Sequence, residues 1–313
     1  MSFTNASGFA GLDRSPLARV GYAKKFVYRY FYSGLVPDIT YSDYDTELTK
    51  CNQVVQFTRQ PVVKWKPYQR NQDLIPQEVD LDAFTFELCE ADYVAIKIDS
   101  TDERYLCDRF AEWESSVMLS VQQDKEVRLN KYVLGRIPFE VAPINTGVAA
   151  GADSQAINLG APGSPVAVTS SNIVKIITYL QLALVEARSW EDGKMVLIVS
   201  PRVYNLLENS TLSNALTMGN AVAAAGSSLI TGKAPGTVAG FSVYQTVYQP
   251  GTIAQDIMLA GRRDATMFAE DIIESRIAQS SRGFWKEYQM LMVYGEKTIQ
   301  PTGWAQAYVS VTL

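Results

Sequence analysis

Histidine is missing from all 313 residues, which removes the commonest general base and the commonest metal ligand together. Hydrolase triads and most zinc sites are excluded on that ground. Cysteine is scarce: Cys51, Cys89 and Cys107 are odd in number and lack the close paired spacing of a metal knuckle or redox motif. They are expected to be reduced, buried thiols of a cytosolic protein. An excess of positive charge is also lacking, because 28 Lys and Arg stand against 33 Asp and Glu, a net charge of -5. Tight, sequence-specific binding of nucleic acid, which draws on a basic domain, is therefore not indicated. No early stretch joins a basic start, an apolar run and a small-residue cleavage site, so no secretory signal is expected. The most apolar helix candidate, Ile173 to Ala187, is interrupted by Lys175, Gln181 and Glu186 and falls short of the roughly 20 apolar residues of a membrane span. The expectation is a soluble protein without a membrane partner.

What is present suffices for a folded chain: 47% of residues are hydrophobic and 19% charged, enough for one large core or two smaller ones. Residues 1–50 show no obvious domain, yet eight aromatics fall between Tyr22 and Tyr44, a density foreign to disordered tails. Five basic residues lie between Asp13 and Tyr30, with Leu17, Val20, Val27 and Tyr30 at helical spacing. An arm docked on its own or a neighbouring subunit is favoured over a cationic helix facing DNA or membrane.

From Asn52 to Ile98 the apolar period becomes two, with Val55 and Phe57 going out and Val79, Leu81, Phe84, Phe86 and Leu88 returning. Long antiparallel strands are predicted, joined by a polar, proline-bounded tip from Lys66 to Pro76 that should project from the body. A two-stranded ribbon is marginal alone in water, so a distant segment of the chain or another copy must cover it.

A capping box, Ser100 with Glu103, opens a predicted helix from Thr101 to Leu134, stopped by Gly135 with Pro138 beyond. Its length would be about 50 Å at ~1.5 Å per residue. Leu106, Phe110, Trp113, Val117 and Val121 mark its apolar stripe, while Gln122-Gln123-Asp124 suggest a kink. Residues 146–171, rich in Gly, Ala, Ser and Pro, read as a crossing between lobes. Ser171 is the predicted cap of a helix from Asn172 to about Arg188. Next come the turn Asp192-Gly193, the wholly apolar strand Met195 to Val199, and a short helix opened by Ser200-Pro201. The Ala, Gly and Ser stretch Ser213 to Ser228 reads as a loop or small helix. Strands are predicted at Val238 to Val247 and Ile257 to Ala260, a helix at Arg263 to Ala269, and alternation through Tyr288, Met290, Met292 and Tyr294.

Chemistry is hard to find. Gly226 to Ala234 approaches a phosphate-binding loop, but its glycines are one residue too far apart and Ala234 replaces the hydroxyl that would hold magnesium. Acidic groups such as Asp99, Asp102 and Glu103, or Glu270, Asp271 and Glu274, are explained by capping and solvated faces. Arg262-Arg263, followed by Asp264, reads as a local or intersubunit salt bridge. Asn209-Ser210-Thr211 matches a glycosylation sequon but reads as loop chemistry. No catalytic residue, cofactor or metal is expected.

The order of parts, together with Gly236 to Tyr244, Leu259-Ala260-Gly261 and Tyr294 to Pro301, resembles the Hong Kong 97 type of major capsid protein of tailed phages. The resemblance spans nearly the whole chain. It implies an α+β fold with an N-terminal arm (1–50), an extended hairpin loop (51–98), a peripheral domain with a long helix (99–140), an axial α/β domain (141–261) and returning peripheral strands (262–313). In function it implies a shell of pentamers and hexamers around double-stranded DNA. The protein would be made in the host cytoplasm and reside in the virion, touching packaged DNA non-specifically. Partners would be other copies, a portal protein, and separate scaffolding and decoration proteins, since the short aromatic start differs from the long scaffolding segment of many relatives. Intersubunit contacts are expected at Val55, Phe57, Lys64, Lys66, Tyr68, Arg70, Leu81 and Phe84. No cross-link is predicted, although Lys64 and Lys66 lie where some relatives form one. An encapsulin shell of the same fold is the first alternative, an α/β enzyme with a helical insertion the second.

Overall fold

The computed structural model describes residues 34–41, 54–61, 63–70, 73, 75–79, 82–100, 110–210, 237–252, 254–279 and 282–311. Its elements begin with a short helix α1 (Val36–Ile39), a ribbon of β1 (Val54–Thr58) and β2 (Ala83–Glu87), strand β3 (Glu90–Asp99) and a long helix α2 (Phe110–Glu140). Then come β4 (Val166–Val168), α3 (Ile173–Glu186), β5 (Met195–Val199), α4 (Pro201–Glu208), β6 (Thr237–Val238), β7 (Phe241–Gln245) and β8 (Asp256–Arg262). The chain closes with β9 (Thr266–Gln279), β10 (Trp285–Thr298) and β11 (Trp304–Val311).

β5 is buried at all five positions, as its unbroken apolar run requires. It lies within a six-stranded sheet ordered β4-β11-β8-β5-β7-β6. Met195, Leu197 and Val199 face α3 and α4, in a core that includes Ile173, Ile177, Leu180 and Leu184. Val196 and Ile198 face the other way, toward Leu129, Val133, Leu134 and Ile137 of α2, Leu35 and Ile39 of the arm, and Trp304. Ser200 caps α4, its Oγ accepting from the Val203 amide at 3.3 Å. The last strand does not join β9 and β10: β11 lies between β4 and β8 in the six-stranded sheet. A second sheet is ordered β3-β10-β9, antiparallel throughout; the stretch Tyr288 to Tyr294 lies on β10, where burial alternates only at Met292, Val293 and Tyr294.

Several expectations are corrected. α2 runs through Gly135 and Pro138 to Glu140, and no break occurs at Gln122-Gln123-Asp124. A helical glycine costs about 1 kcal/mol relative to alanine, whereas burying a Leu or Ile side chain gains about 1.5–3 kcal/mol. Leu134 and Ile137, both fully buried, therefore outweigh Gly135. Burial is concentrated at this end, and Trp113 is only half-buried. Ser171 is not the cap of α3, which starts after Asn172 and ends at Glu186; the Asn172 carboxamide instead accepts from the Thr169 amide at 2.8 Å. The helix expected at Arg263 to Ala269 is one 3-10 turn, Arg263–Ala265, followed by β9. Thr266 to Ala269 are buried in succession, and such a run carries no period to separate strand from helix. Cys89 is exposed rather than buried.

The arm docks on its own subunit at residues 34–41: the Leu35 amide donates to Asn130 Oδ1 at 2.7 Å, and Val36 and Ile39 are buried. The rest of the arm, the capping box beyond Ser100, Leu106, Cys51, Cys107, the stretch Ser213 to Ser228 and the phosphate-loop look-alike lie outside the described residues.

Ile137→Ala is expected to lower unfolding stability by about 2–5 kcal/mol, and Trp113→Ala by less, because only the former empties a closed core. Denaturant melts of the two variants check this; an equal or larger loss at Trp113 would put the weight of the helix at the wrong end.

Candidate assembly surfaces

The hairpin is shorter at its root and longer beyond it than its sequence pattern suggests. β1 and β2 pair over five residues each, from Val54 opposite Glu87 to Thr58 opposite Ala83. Phe57 and Phe84 stack at 5.5 Å between ring centroids. With Phe86 they pack on Met267, Ala269, Leu88 and Ile299. Of the two covers anticipated for the ribbon, a distant segment of the same chain therefore supplies the one at the root, which buries Phe86 fully and Phe57 and Phe84 in part. Further ties hold it: Arg59 bridges Asp82 at 2.9 Å and donates to the Ile299 carbonyl, and Lys297 Nζ donates to the Thr85 carbonyl at 2.8 Å. Gly295 of β10 passes so close to β2 that a Cβ there would run into the Glu87 carbonyl oxygen.

Past Arg59 the described loop residues form no strand, and side chains tie its limbs at two contacts. Lys64 N donates to Gln77 Oε1 at 3.3 Å, and Lys66 Nζ donates to the Ile75 carbonyl at 3.1 Å. Lys64, Lys66, Tyr68 and Arg70 are all exposed, Val55 is half-buried at the root, and Leu81 lies outside the described residues. Pattern reading missed the apolar content of this loop: Val63 is 64% exposed, Ile75 72%, and Trp65 wholly so. Large apolar groups displayed on a projecting segment are a recognised mark of an interaction site. The outgoing limb carries Arg59, Lys64, Lys66 and Arg70 without an acid, and the returning limb Asp73, Glu78, Asp80 and Asp82 without a base.

Beneath the root, α2 is fastened to the β3-β10-β9 sheet by polar contacts. Lys125 pairs with Glu270 of β9 at 2.7 Å, Arg128 with Asp92 of β3 at 2.5 Å, and Tyr288 of β10 donates to Glu114 at 2.7 Å. Near the end of α2, Arg136 donates to the Tyr132 hydroxyl and lies 3.6 Å from Glu296 of β10. The Glu296 side chain is fully buried, and neither carboxyl oxygen has a hydrogen-bond partner. Glu140, one turn past Arg136, accepts from the Thr298 amide at 2.9 Å. Burial, then the negative charge of Glu140, pushes the Glu296 carboxyl up to about 8, against the weaker pull of Arg136. No sequence signal marks Glu296, which reads as one residue of a strand.

The distal half of β9 is the second surface missed in the sequence. Ile272, Ile273 and Ile277 are exposed there, and Tyr93 of β3 and Phe284 before β10 are exposed as well. Arg262, by contrast, behaves as anticipated, in local pairs with Asp264 and with Glu191 at 2.8 Å. A cleft of about 760 Å³ lies between the hairpin root and the body, lined by Tyr41, Phe57, Arg59, Lys194, Arg263 and Gln300 among others. Among the described residues no group of three or more His, Cys, Asp or Glu side chains is placed to hold a metal ion, and no helix is long and apolar enough to cross a membrane.

No protein-family model matches the sequence, and no curated protein does. Solved structures do match. The chain is similar to a structure from Mycobacterium phage Che8, with a TM-score of 0.66 and 12% identity over 94% of this chain and 97% of that one. It is similar to the mature capsid of bacteriophage PhiM1, with a TM-score of 0.61 and 14% identity over 95% and 92% of the two chains. The capsid of Ralstonia phage GP4 matches with a TM-score of 0.60 and 10% identity over 98% and 99%. At these identities the likeness establishes the fold: it is the α+β capsid fold of the Hong Kong 97 type.

Glu296 gives the subunit a defined pH dependence. Between its ordinary value of 4.5 and its folded value of about 8, the folded subunit holds a proton there that the unfolded chain has released. Stability from this group is thus complete below pH 4.5, falls as pH rises through that window by up to about 1.4 kcal/mol per unit, and levels off above it. Glu296→Gln is expected to flatten the decline and to melt higher than the parent at pH 8. Parallel stability curves from pH 5 to 8 for the two proteins would show that the carboxyl is ionised in the fold.

Proposed function

We propose that this chain is the major capsid protein of a tailed bacteriophage, assembling with copies of itself, as pentamers and hexamers, into an icosahedral head around double-stranded DNA. The observation that carries the reading is the extent of the structural likeness, which takes in more than nine-tenths of both chains in each phage structure described above. Nearly the whole chain is therefore compared as one unit, and less than a tenth of any of these neighbours is left over. The exposed apolar side chains Val63, Trp65 and Ile75 support it from the physical side, since a self-contained subunit has no use for them. On this reading the chain has no catalytic role, its place is the virion after synthesis in the host cytoplasm, and its contact with packaged DNA is non-specific. A portal protein closes the shell, and any scaffolding or decoration is separate.

The domain division anticipated above serves as the working description. The projecting loop, with Lys64, Lys66, Tyr68 and Arg70, meets a neighbouring subunit, and Val55, Phe57, Leu81 and Phe84 add to the same contact.

Negative-stain microscopy of the purified protein is expected to show shells or capsomers; a protein that stays monomeric under every assembly condition would count against the reading. Replacing residues 68–75 by a short Gly-Ser linker should leave the circular dichroism spectrum near that of the parent, because the root is anchored within the subunit, yet abolish or greatly impair shell formation. Normal shells from that variant would remove the loop from the assembly contacts.

A further inference from the structure

β9 is an edge strand, and beyond its first residues, which Tyr41 touches, its outer side pairs with no strand among the described residues. Every residue from Glu270 to Ile277 is exposed. A long exposed edge bearing isoleucines is a template for pairing, and natural edges are usually blunted by Pro or Lys or covered. Residues 270–279 contain neither Pro nor Lys. One irregularity is present: the register with β10 shifts so that Ile273 is the extra residue between Ile272, opposite Met292, and Glu274, opposite Leu291.

The chemistry of this edge selects its occupant. Ile273-Glu274-Ser275-Arg276-Ile277 is symmetric in its apolar positions and antisymmetric in its charges about Ser275. Placed antiparallel against a second copy of itself with Ser275 on the axis, the strand sets Ile273 opposite Ile277 and Glu274 opposite Arg276, and each pair then occurs twice. Such self-complementarity is what a two-fold contact requires, and opposite charges and apolar pairs across strands are the units that stabilise one. An unrelated strand would satisfy the edge amides but has no need of the charge antisymmetry. Within one chain Glu274 and Arg276 lie 3.2 Å apart, and Arg276 Nε donates to Gln289 Oε1 of β10 at 2.8 Å, so both charges stand on one face of the sheet, as a cross-axis pair requires.

We propose that β9 pairs antiparallel with β9 of a second copy across a two-fold axis at Ser275, joining two three-stranded sheets into one of six strands. The contact rests on the self-assembly reading for its setting and adds a named subunit interface to it.

Glu274→Arg and Arg276→Glu test it in the full chain. Each variant alone places like charges across the axis and is expected to weaken self-association in low-salt sedimentation velocity by about tenfold or more. Mixed in equal amounts, the two variants meet with opposite charges across the axis, and association should return toward the parental level. Within each variant chain the two charges remain alike, so repair of the local Glu274–Arg276 pair cannot produce this rescue. A mixture that associates no better than its components, or a parent that shows no association at any concentration, would overturn the pairing. Shells formed normally by both single variants would overturn it while leaving the capsid reading intact; rescue on mixing without shells from any protein would uphold the pairing and remove the capsid reading.

Discussion

β5 has no polar position, so both faces of the sheet around it have to be covered, and the rest of the molecule is arranged by how that is done. α3 and α4 cover one face. The other falls to segments far away in sequence: the arm at Leu35 to Ile39, Trp304, and the last three turns of α2. Fixing the end of α2 there has a geometric consequence, since a helix of 31 residues is about 46 Å long and cannot be used up by one sheet. Its first half is carried out over the β3-β10-β9 sheet, where contacts are polar at Glu114, Lys125 and Arg128 and burial is partial. The strands that continue from the closed core into this sheet show the same gradient: β9 is buried at Thr266 to Ala269 and exposed from Glu270 onward.

The hairpin root sits at the junction of these two regions, on the buried part of β9 and the end of β10. Its anchors, Phe86 in the small cluster with Met267 and Ala269, and Gly295 against the Glu87 carbonyl, belong to the same strand ends that meet the C-terminal turn of α2. Glu296 follows Gly295 directly. A carboxyl there is tolerated at neutral pH because it holds its proton, and a charge would be buried beside Glu140, itself at a helix end where negative charge is disfavoured. The direction of the projecting loop and the protonation of this group are thus set by adjacent residues of one strand.

What the sequence disclosed follows from the strength of local signals. The unbroken run of β5, the Ser200-Pro201 cap and the alternation of β10 from Met292 to Tyr294 were legible because burial on two faces, capping and burial on one face each leave a pattern within a few residues. The stop at Gly135 was misleading because the decision lay with Leu134 and Ile137, whose burial depends on β5 and Trp304 far away in sequence. Thr266 to Ala269 had no period to read, and their strand pairing is with Gly295 to Thr298. The projection of residues 66–76 was visible from its prolines and polarity, but the cover of the root was not, because Met267 and Ile299 are some 200 residues away. The exposure of Lys64, Lys66, Tyr68 and Arg70 follows from their place in the loop, whereas Trp65 and the β9 isoleucines were overlooked as core-type residues whose exposure no sequence pattern declares.

Those exposed apolar groups are distributed unevenly, and the unevenness bears on why the subunit tolerates them. The six-stranded sheet and its helices close their core, whereas the loop beyond Arg59 and the far part of β9 display Trp65, Ile75, Ile272 and Ile277. In a protein that acted alone these would invite disordered aggregation. On the proposed shell reading the same surfaces must satisfy a narrower condition: each contact has to be too weak to hold two free subunits together irreversibly, yet repeated often enough to close a lattice. Edge strands with mixed charges and a projecting loop with little internal bracing meet that condition better than one large apolar face would, because contacts that form and separate individually let misplaced subunits leave before the shell closes.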